Sequence, residues 1–348
     1  MNPYVLTTLL SSLGLGTTLT FASSHWLLAW MGLEINTLAI VPLMAQHHHP
    51  RAVEATTKYF LTQATAAAMI LFASTTNAWI TGVWDINNMS NPIATAMIIA
   101  ALALKIGLAP MHFWMPEVLQ GLDLLTGLIL STWQKLAPIA LIIQTAQAID
   151  PLLLTILGLS STLVGGWGGL NQTQLRKILA YSSIAHMGWM IIVLQHAPQL
   201  TLLALLTYII MTSAAFLTLK ASSTTKISTL AITWSKSPIL TATTALVLLS
   251  LGGLPPLTGF MPKWLILQEL TKQQLPLTAT IMALAALLSL YFYLRLCYAM
   301  TLTISPNTTS AITPWRVQTT QASLPLALST TLALGLLPMA PTMMMLAT

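Results

Sequence analysis

The sequence predicts an all-α membrane protein with about eleven transmembrane helices, arranged as two inverted five-helix repeats followed by a C-terminal helix. Of the 348 residues, 55% are hydrophobic and only 6% are charged, whereas soluble domains carry about 25% charged residues. So few charges cannot cover a water-facing surface, so lipid must surround most of the chain. Hydrophobic stretches of about 20 residues, long enough to cross a bilayer, follow one another along the sequence.

Short connections containing Pro, Asn, Ser or Thr separate these stretches. We expect spans at 3–21, 25–45, 59–81, 92–121, 124–146, 150–171, 178–196, 200–220, 237–270, 276–299 and 322–346. The first stretch has no basic or Arg/Ser-rich targeting features, so we expect it to be a retained span. The whole chain, 1–348, is then one membrane domain. Its expected parts are a first repeat at 1–146, a second at 147–299, and a loop with the C-terminal helix at 300–348.

Lysine and arginine are distributed unequally if successive spans alternate in direction. One face receives nine basic residues: Arg51, Lys58, Arg176, Lys177, Lys220, Lys226, Lys236, Arg295 and Arg316. The opposite face receives only Lys272, and the remaining three lysines lie inside hydrophobic stretches. Because basic residues accumulate in loops on the inner side of a membrane, the N-terminus is predicted inside and the C-terminus, after an odd number of spans, outside.

Two long hydrophobic stretches contain similar proline- and glycine-rich segments. GLAPMHFWMP (107–116) and GLPPLTGFMP (253–262) share five of ten residues at an offset of 146. Proline removes a helix donor, and lipid offers the freed backbone groups no partner. Interrupted helices at matching places in inverted repeats are typical of ion and substrate sites. Ordinary proline kinks and a chance match are the alternative explanation.

Four charged residues lie inside the apolar spans: Glu34, Lys105, Lys135 and Lys263. Each costs roughly 2.5–3.5 kcal/mol on insertion scales. Snorkelling to the headgroups, the alternative, relieves this cost only near the end of a span. An opposite charge at a changing distance lets such a group bind and release a proton. We therefore hypothesise that Glu34 pairs with Lys105, that Lys135 is the next carrier, and that Lys263 serves the second repeat.

Histidines are the other titratable candidates. His186 lies inside a span, one turn after two serines, and is either a proton relay or a hydrogen-bonded packing residue. His112 follows the first break and is either a relay or a capping residue. The run at 47–49 lies in an inner loop and matches no metal-ligand pattern. With one cysteine, Cys297, the chain has no haem, iron–sulfur or zinc motif.

Three segments carry a family resemblance: KIGLAPMHFWMPEVLQG (105–121), RKILAYSSIAHMGWM (176–190) and LGGLPPLTGFMPKW (251–264). They closely resemble the NADH–ubiquinone oxidoreductase chain 2 family, the mitochondrially encoded antiporter-like subunits of respiratory complex I. The resemblance covers essentially the whole chain and is of the vertebrate type, which lacks three N-terminal spans of the bacterial members. The shortened N-terminus is expected to expose a surface that other subunits cover.

The resemblance implies a core membrane-arm subunit of a proton-pumping NADH:ubiquinone oxidoreductase in the mitochondrial inner membrane. The N-terminus would face the matrix and the C-terminus the intermembrane space. By motif match, Glu34 takes the role of the essential membrane glutamate and Lys105 that of the lysine in the first broken helix. Lys135 takes that of the bridging lysine, and Lys263 that of the lysine in the second broken helix.

The resemblance also implies cofactors and partners. NAD, FMN, iron–sulfur clusters and ubiquinone are expected on other subunits, with none on this chain. Expected partners are neighbouring antiporter-like and small membrane subunits, accessory subunits, and phospholipids such as cardiolipin, but no nucleic acid.

Two other functions would use the same charged residues. A stand-alone cation/proton antiporter would work without partners, and in a structural scaffold the charges would only orient the helices.

Overall fold

The computed structural model describes residues 2–46, 49–302 and 323–347. This part of the chain is almost entirely helical and contains no β-strand. The helices are α1 (Pro3–Ala22), α2 (Trp26–Met44), α3 (Pro50–Thr81), α4 (Pro92–Ile106), α5 (Trp114–Gly121), α6 (Leu124–Thr145), α7 (Pro151–Gly169), α8 (Leu175–Val193), α9 (Pro198–Ala221), α10 (Ile227–Ala231), α11 (Thr233–Lys236), α12 (Pro238–Gly252), α13 (Phe260–Lys272), α14 (Pro276–Thr301), α15 (Ser323–Gly335) and α16 (Ala340–Ala347).

Within the described ranges, six helices are long and apolar enough to cross a membrane: α1, α2, α6, α7, α9 and α14. The two interrupted stretches contribute shorter apolar helices, α4 and α12, because each break divides one hydrophobic stretch in two. An all-helical protein with membrane-type helices is therefore confirmed, and the number of eleven spans stays a prediction.

Three details differ from the predicted spans. Helix α3 begins at Pro50 rather than at 59, because the His49 Nδ1 accepts a hydrogen bond from the Arg51 N–H and caps a polar first turn. Two short helices, α10 and α11, lie where a loop was expected. The C-terminal stretch is divided into α15 and α16 by a short 3₁₀ segment containing Pro338. Hydropathy alone reports none of these features.

The chain divides into two compact units, unit 1 (Met1–Ser161) and unit 2 (Thr162–Thr348). In unit 1, α1 packs along α2, and α3 contacts both halves of the first interrupted helix, α4 and α5. In unit 2, α12 packs against α9 and α14, and α15 packs against α9. The predicted repeat boundaries at 146/147 and 299/300 stay predictions.

In unit 1, the connection before α2 pairs with the connection after α3. The Trp26 N–H donates to the Trp84 carbonyl at 3.1 Å, and the Ile86 N–H donates to the Ser24 carbonyl at 3.0 Å. The His25 and Trp84 rings stack with centroids 5.5 Å apart. Connections two spans apart in the sequence are adjacent in space, as alternating spans require.

In unit 2, the connection before α8 pairs with the connection after α9. The Leu175 N–H donates to the Thr225 carbonyl at 3.1 Å, and the Ile227 N–H donates to the Thr173 carbonyl at 3.2 Å. These connections are also two spans apart, and basic residues lie at both: Arg176 at the start of α8 and Lys226 just before α10. The pairing supports the predicted placement of these two residues on one face.

The two predicted helix breaks are present, and each starts at a glycine with the same backbone conformation. Helix α4 ends at Ile106 and is followed by Gly107, whose φ is 84°. Helix α12 ends at Gly252 and is followed by Gly253, whose φ is 82°. Both glycines adopt the left-handed conformation that ends many helices.

The hydrogen bonds at the breaks match as well. The Leu108 N–H donates to the Ala103 carbonyl, and the Leu254 N–H donates to the Leu249 carbonyl, which is the 6→1 bond of a Schellman motif. The first halves each have 15 residues and begin at a proline, and the second halves begin at Trp114 and Phe260. The sequence offset therefore corresponds to a repeated helix–break–helix element.

Candidate functional site

A narrow cavity in unit 1 brings together two of the four predicted charged residues. Lys105, on the last turn of α4, and Lys135, in the middle of α6, both line it, and they are only 6% and 2% exposed. The space open to the centre of a water molecule is about 10 Å³, which corresponds to about one water. The other lining residues are Leu33, Asn36, Thr37, Tyr59, Gln63, Ile106, Trp114, Met115, Leu130, Gln134 and Pro138.

The break after α4 determines the surroundings of Lys105. The Gln63 Nε2 donates to the Lys105 carbonyl at 3.4 Å, and the Trp114 Nε1 donates to the Leu104 carbonyl at 2.9 Å. Side chains from α3 and α5 therefore bind carbonyls of the last turn. An ammonium group near a helix C-terminus interacts favourably with the helix dipole. The Lys105 Nζ itself has no hydrogen-bond acceptor among the described residues.

Glu34 lies in the middle of α2, close enough to Lys105 and Tyr59 for electrostatic interaction with both. Its Oε2 is buried and makes no hydrogen bond to the described residues. The carboxylate and the ammonium therefore attract each other without the Oε2 atom being bonded to Nζ. Such attraction is stronger in a water-poor interior than in bulk water.

Lys135 is connected to α2 through its neighbour. The Gln134 Nε2 donates to the Asn36 carbonyl at 3.2 Å. Pro138, one turn later in α6, has no N–H to donate to the Gln134 carbonyl. The lysine thus lies in a helical segment with one backbone carbonyl that lacks its usual helix donor.

Lys263 lies in unit 2 on the first turn of α13, just after the second break. Its Nζ donates to the Gly252 carbonyl at 2.8 Å, at the C-terminus of α12. A Cβ at Gly253 would lie 2.9 Å from this Nζ. The positive φ of Gly253 favours glycine, and a Cβ added there would displace the lysine side chain.

Buried tyrosine and serine hydroxyls in unit 2 lie near the predicted histidine His186. The His186 and Tyr208 rings are 5.6 Å apart, and the Tyr208 hydroxyl interacts with the Ser183 hydroxyl. Tyr293 lies beside Ser182. The two tyrosines and the two serines are at most 1% exposed. His186 therefore lies near hydroxyl groups that can both donate and accept hydrogen bonds.

The other histidines have different surroundings. His112 is buried in the first break, with its Nδ1 3.3 Å from the Pro110 carbonyl and its ring 4.4 Å from the Phe113 ring, and it does not line the cavity. His49 caps α3. His47 and His48, like Arg316, lie outside the described residues. In the described part of the chain, no group of three or more His, Cys, Asp or Glu side chains could hold a metal ion.

The sequence reasoning missed five polar residues that line the cavity: Asn36, Thr37, Tyr59, Gln63 and Gln134. A signal for them exists. Asn36 is two residues from Glu34, and Gln134 is adjacent to Lys135. Tyr59 and Gln63 are four residues apart, which places them on one face of α3.

Comparison with protein families assigns most of the chain to one model. Residues 23–289 match the family described as "NADH:quinone oxidoreductase/Mrp antiporter, TM". Residues 290–344 match "NADH dehydrogenase subunit 2 C-terminus". Together these matches include every predicted site residue.

Similar proteins and structures agree with these matches. The chain is 86% identical over 348 residues to "NADH-ubiquinone oxidoreductase chain 2" of Carassius auratus and of Cyprinus carpio, with 100% of both chains covered. The Danio rerio protein of the same name is 78% identical, also over 100% of both chains.

Among solved structures, a chain of respiratory complex I from Thermus thermophilus is 28% identical with a TM-score of 0.86, over 99% of this chain and 80% of that one. A chain of the Mrp complex from a Dietzia species is 16% identical with a TM-score of 0.85, over 97% and 76%. The second similarity concerns the fold alone.

Proposed function

Because the chain belongs to the NADH:quinone oxidoreductase/Mrp antiporter family, and within it to the NADH–ubiquinone oxidoreductase chain 2 proteins, we propose that Glu34, Lys105, Lys135 and Lys263 carry protons. It is an antiporter-like membrane subunit of the proton-translocating NADH:ubiquinone oxidoreductase, complex I, of the mitochondrial inner membrane. Electron transfer from NADH to ubiquinone belongs to other subunits in this proposal.

One observation carries the proposal: Lys105 and Lys135 line the same cavity, and helix α2, which carries Glu34, contributes Leu33, Asn36 and Thr37 to its wall. A nearby carboxylate stabilises the ammonium form of a lysine, and loss of this attraction favours release of the proton. A proton released by Lys105 enters a space that Lys135 also lines. Changes in the Glu34–Lys105 interaction therefore direct the proton toward Lys135.

Unit 2 contains the second proton-carrying group in this proposal. Lys263 donates to the Gly252 carbonyl at the second break, and this bond stabilises its ammonium form. The hydroxyls near His186 provide exchangeable protons in the same unit, which supports a relay role for His186. The contact of His112 with the Pro110 carbonyl favours a role in shaping the first break.

The proposed surroundings follow from the family. Flavin, iron–sulfur clusters, nucleotide and ubiquinone bind other subunits. Membrane-arm subunits and accessory subunits cover part of the exposed apolar surface, and phospholipids such as cardiolipin cover the rest. The paired connections within each unit and the distribution of basic residues support eleven spans. The N-terminus would face the matrix and the C-terminus the intermembrane space.

Proton translocation by the intact oxidoreductase tests this function. We expect Lys135→Met and Glu34→Gln to assemble, and to lower the rate of proton translocation by roughly 10²-fold or more, because a positioned proton carrier is lost. The control is Lys272→Met, since Lys272 is exposed and pairs only loosely with Glu269, at 3.9 Å.

A normal number of protons per NADH in assembled Lys135→Met and Glu34→Gln complexes would show that these residues only support the structure. Cation/proton exchange by the purified chain alone, in liposomes without other subunits, would show instead that it works as a stand-alone antiporter.

A further inference from the structure

A buried acceptor and a buried donor in the cavity lack partners. Asn36 is 3% exposed, and its Oδ1 accepts no hydrogen bond from the described residues. The Lys105 Nζ likewise has no acceptor. Leaving either group unsatisfied costs about 1–3 kcal/mol, and more for a charged group. Because both side chains line one cavity with room for about one water, a single water can satisfy both.

Three other polar side chains of the cavity are already bonded to backbone carbonyls. The Thr37 hydroxyl donates to the Glu34 carbonyl at 2.8 Å. The Gln63 and Gln134 amides donate to the carbonyls of Lys105 and Asn36. These bonds orient the side chains along the helices. Asn36 differs from them: its side chain is almost completely buried, and its Oδ1 accepts no hydrogen bond from the described residues.

Helix α1, which carries no charge, determines where the Asn36 side chain lies. A Cβ at Gly16 would overlap the Asn36 Oδ1, and would lie 2.8 Å from both the Asn36 Cγ and the Gly32 carbonyl oxygen. A Cβ at Gly32 would in turn lie 2.7 Å from the Thr20 Cγ2. The two helices approach closely at these glycines, and Asn36 is held against Gly16.

From these contacts we propose that Asn36 is a positioning residue for proton transfer, and that Gly16 holds it in place. Its Oδ1 accepts one O–H of a water that accepts an N–H from Lys105. The second O–H of this water is then free to point toward Lys135. This proposal rests on the proposed function, since it specifies how a proton leaves Lys105.

The step balances without any other reactant. One N–H bond of the Lys105 ammonium breaks and an O–H bond forms on the water. The second O–H bond of the water breaks, and an N–H bond forms on the neutral Lys135 amine. The water is unchanged, and one proton has moved from Lys105 to Lys135. Asn36 takes no proton; it orients the water so that the bond that breaks faces Lys135.

Two substitutions of Asn36 in the intact oxidoreductase test the proposal. Leucine has a similar size and no acceptor, so Asn36→Leu is expected to lower proton translocation about tenfold or more. Asn36→Asp keeps the acceptor and adds a charge beside Lys105. It is therefore expected to retain more translocation than Asn36→Leu, with a pH profile displaced from that of the unmodified enzyme. If Asn36 only fills space, the leucine variant retains its activity and pH profile and the aspartate variant is the more damaged.

A glycine pair supplies the matched control. Gly16→Ala displaces the Asn36 side chain and also presses on the Gly32 carbonyl oxygen, and it is expected to lower proton translocation in the assembled complex. Gly14→Ala lies on the same helix with no atom within 4 Å of the added Cβ, and is expected to behave like the unmodified chain. Equal behaviour of the two assembled variants would contradict a positioning role for Gly16.

The water itself is the second measurement. A high-resolution map of the complex is expected to show an ordered water between the Asn36 Oδ1 and the Lys105 Nζ, and to lose it in Asn36→Leu. Lys105→Met separates the two proposals. If Lys105→Met abolishes translocation while Asn36→Leu does not, Asn36 has no role and the proposed function stands. If Lys105→Met also translocates normally, the proposed function fails.

Discussion

Single residues at the helix breaks combine a backbone requirement with a contact. Gly107 and Gly253 have φ values of 84° and 82°, a conformation that costs other L-residues about 1–2 kcal/mol. Gly253 also contacts Lys263, whose Nζ is bonded to the preceding carbonyl, that of Gly252. The break therefore holds a cation at the negative end of a helix dipole.

Gly253→Ala is predicted to impair proton translocation more than the backbone cost alone explains, because the added Cβ would lie 2.9 Å from the Lys263 Nζ and 3.0 Å from its Cδ. Gly82→Ala is the matched control: its φ is 74° and no atom lies within 4 Å of the added Cβ. Proton translocation per assembled complex is the measurement.

Equal losses in the two alanine variants would assign the whole effect to backbone strain and contradict a role for the Lys263–Gly252 bond.

The sequence is informative about charged residues and much less so about neutral ones. Glu34 and the three lysines could be identified because a charge in an apolar span is rare. Asn36 and Gln63 were overlooked, because neutral polar residues are common where membrane helices pack together and their spacing alone is a weak signal. Lys105 and Lys135 share a cavity because α4 packs against α6. Residue spacing in the sequence does not indicate which helices pack together.

At the scale of helices, an ion-pair cluster connects α3 to the second half of the interrupted helix, α5. The Lys58 Nζ lies 2.7 Å from the Glu117 Oε2 on α5, and 2.8 Å from the Glu54 Oε1 on its own helix. A Cβ at Gly121 would lie 2.6 Å from the Arg51 carbonyl oxygen, so α5 also packs closely against the start of α3. The polar turns before residue 59 therefore support α5.

Glu117→Gln is predicted to loosen α5, and Glu54→Gln is the matched control because it removes only the pair within α3. Hydrogen exchange of the α5 amides should be faster in Glu117→Gln than in Glu54→Gln. The pairs are exposed, so the change in the global stability of the chain should be small. High salt should reduce the difference, because it screens exposed charges.

Identical α5 exchange in the two variants at low salt would show that packing at Gly121 alone holds the helix.

The helix elements were partly predictable. The helix breaks were predictable, because Pro and Gly within a long apolar stretch interrupt the backbone hydrogen bonds of a helix. The start of α3 at Pro50 was not predictable. Hydropathy indicates which part of a helix contacts lipid, whereas the helix itself begins earlier, where His49 caps it.

At the scale of the whole chain, both units contain the same helix–break–helix element, with α4 and α12 each 15 residues long and each followed by a left-handed glycine. Family matches extend from residue 23 to residue 344. The duplicated element and the excess of basic residues on one predicted face together lead to the proposed orientation in the membrane.

Cysteines introduced at exposed positions between the predicted spans test this orientation. Ser228→Cys, near the α9–α10 connection, should react with a membrane-impermeant maleimide only from the matrix side. Asn87→Cys, after α3, should react only from the intermembrane space. The native Cys297 is buried, so the unmodified chain is the control. Labelling of both positions from the same side would contradict alternating spans.

The central claim is that Glu34 and Lys105 act as one proton-exchanging pair that supplies Lys135. The most direct test compares proton translocation by intact complexes carrying Glu34→Gln, Lys105→Met, or both. Residues that act as a unit have non-additive effects, so the double variant should be no slower than the slower single variant. A double variant whose loss equals the product of the two single losses would show that the residues act independently, which contradicts the claim.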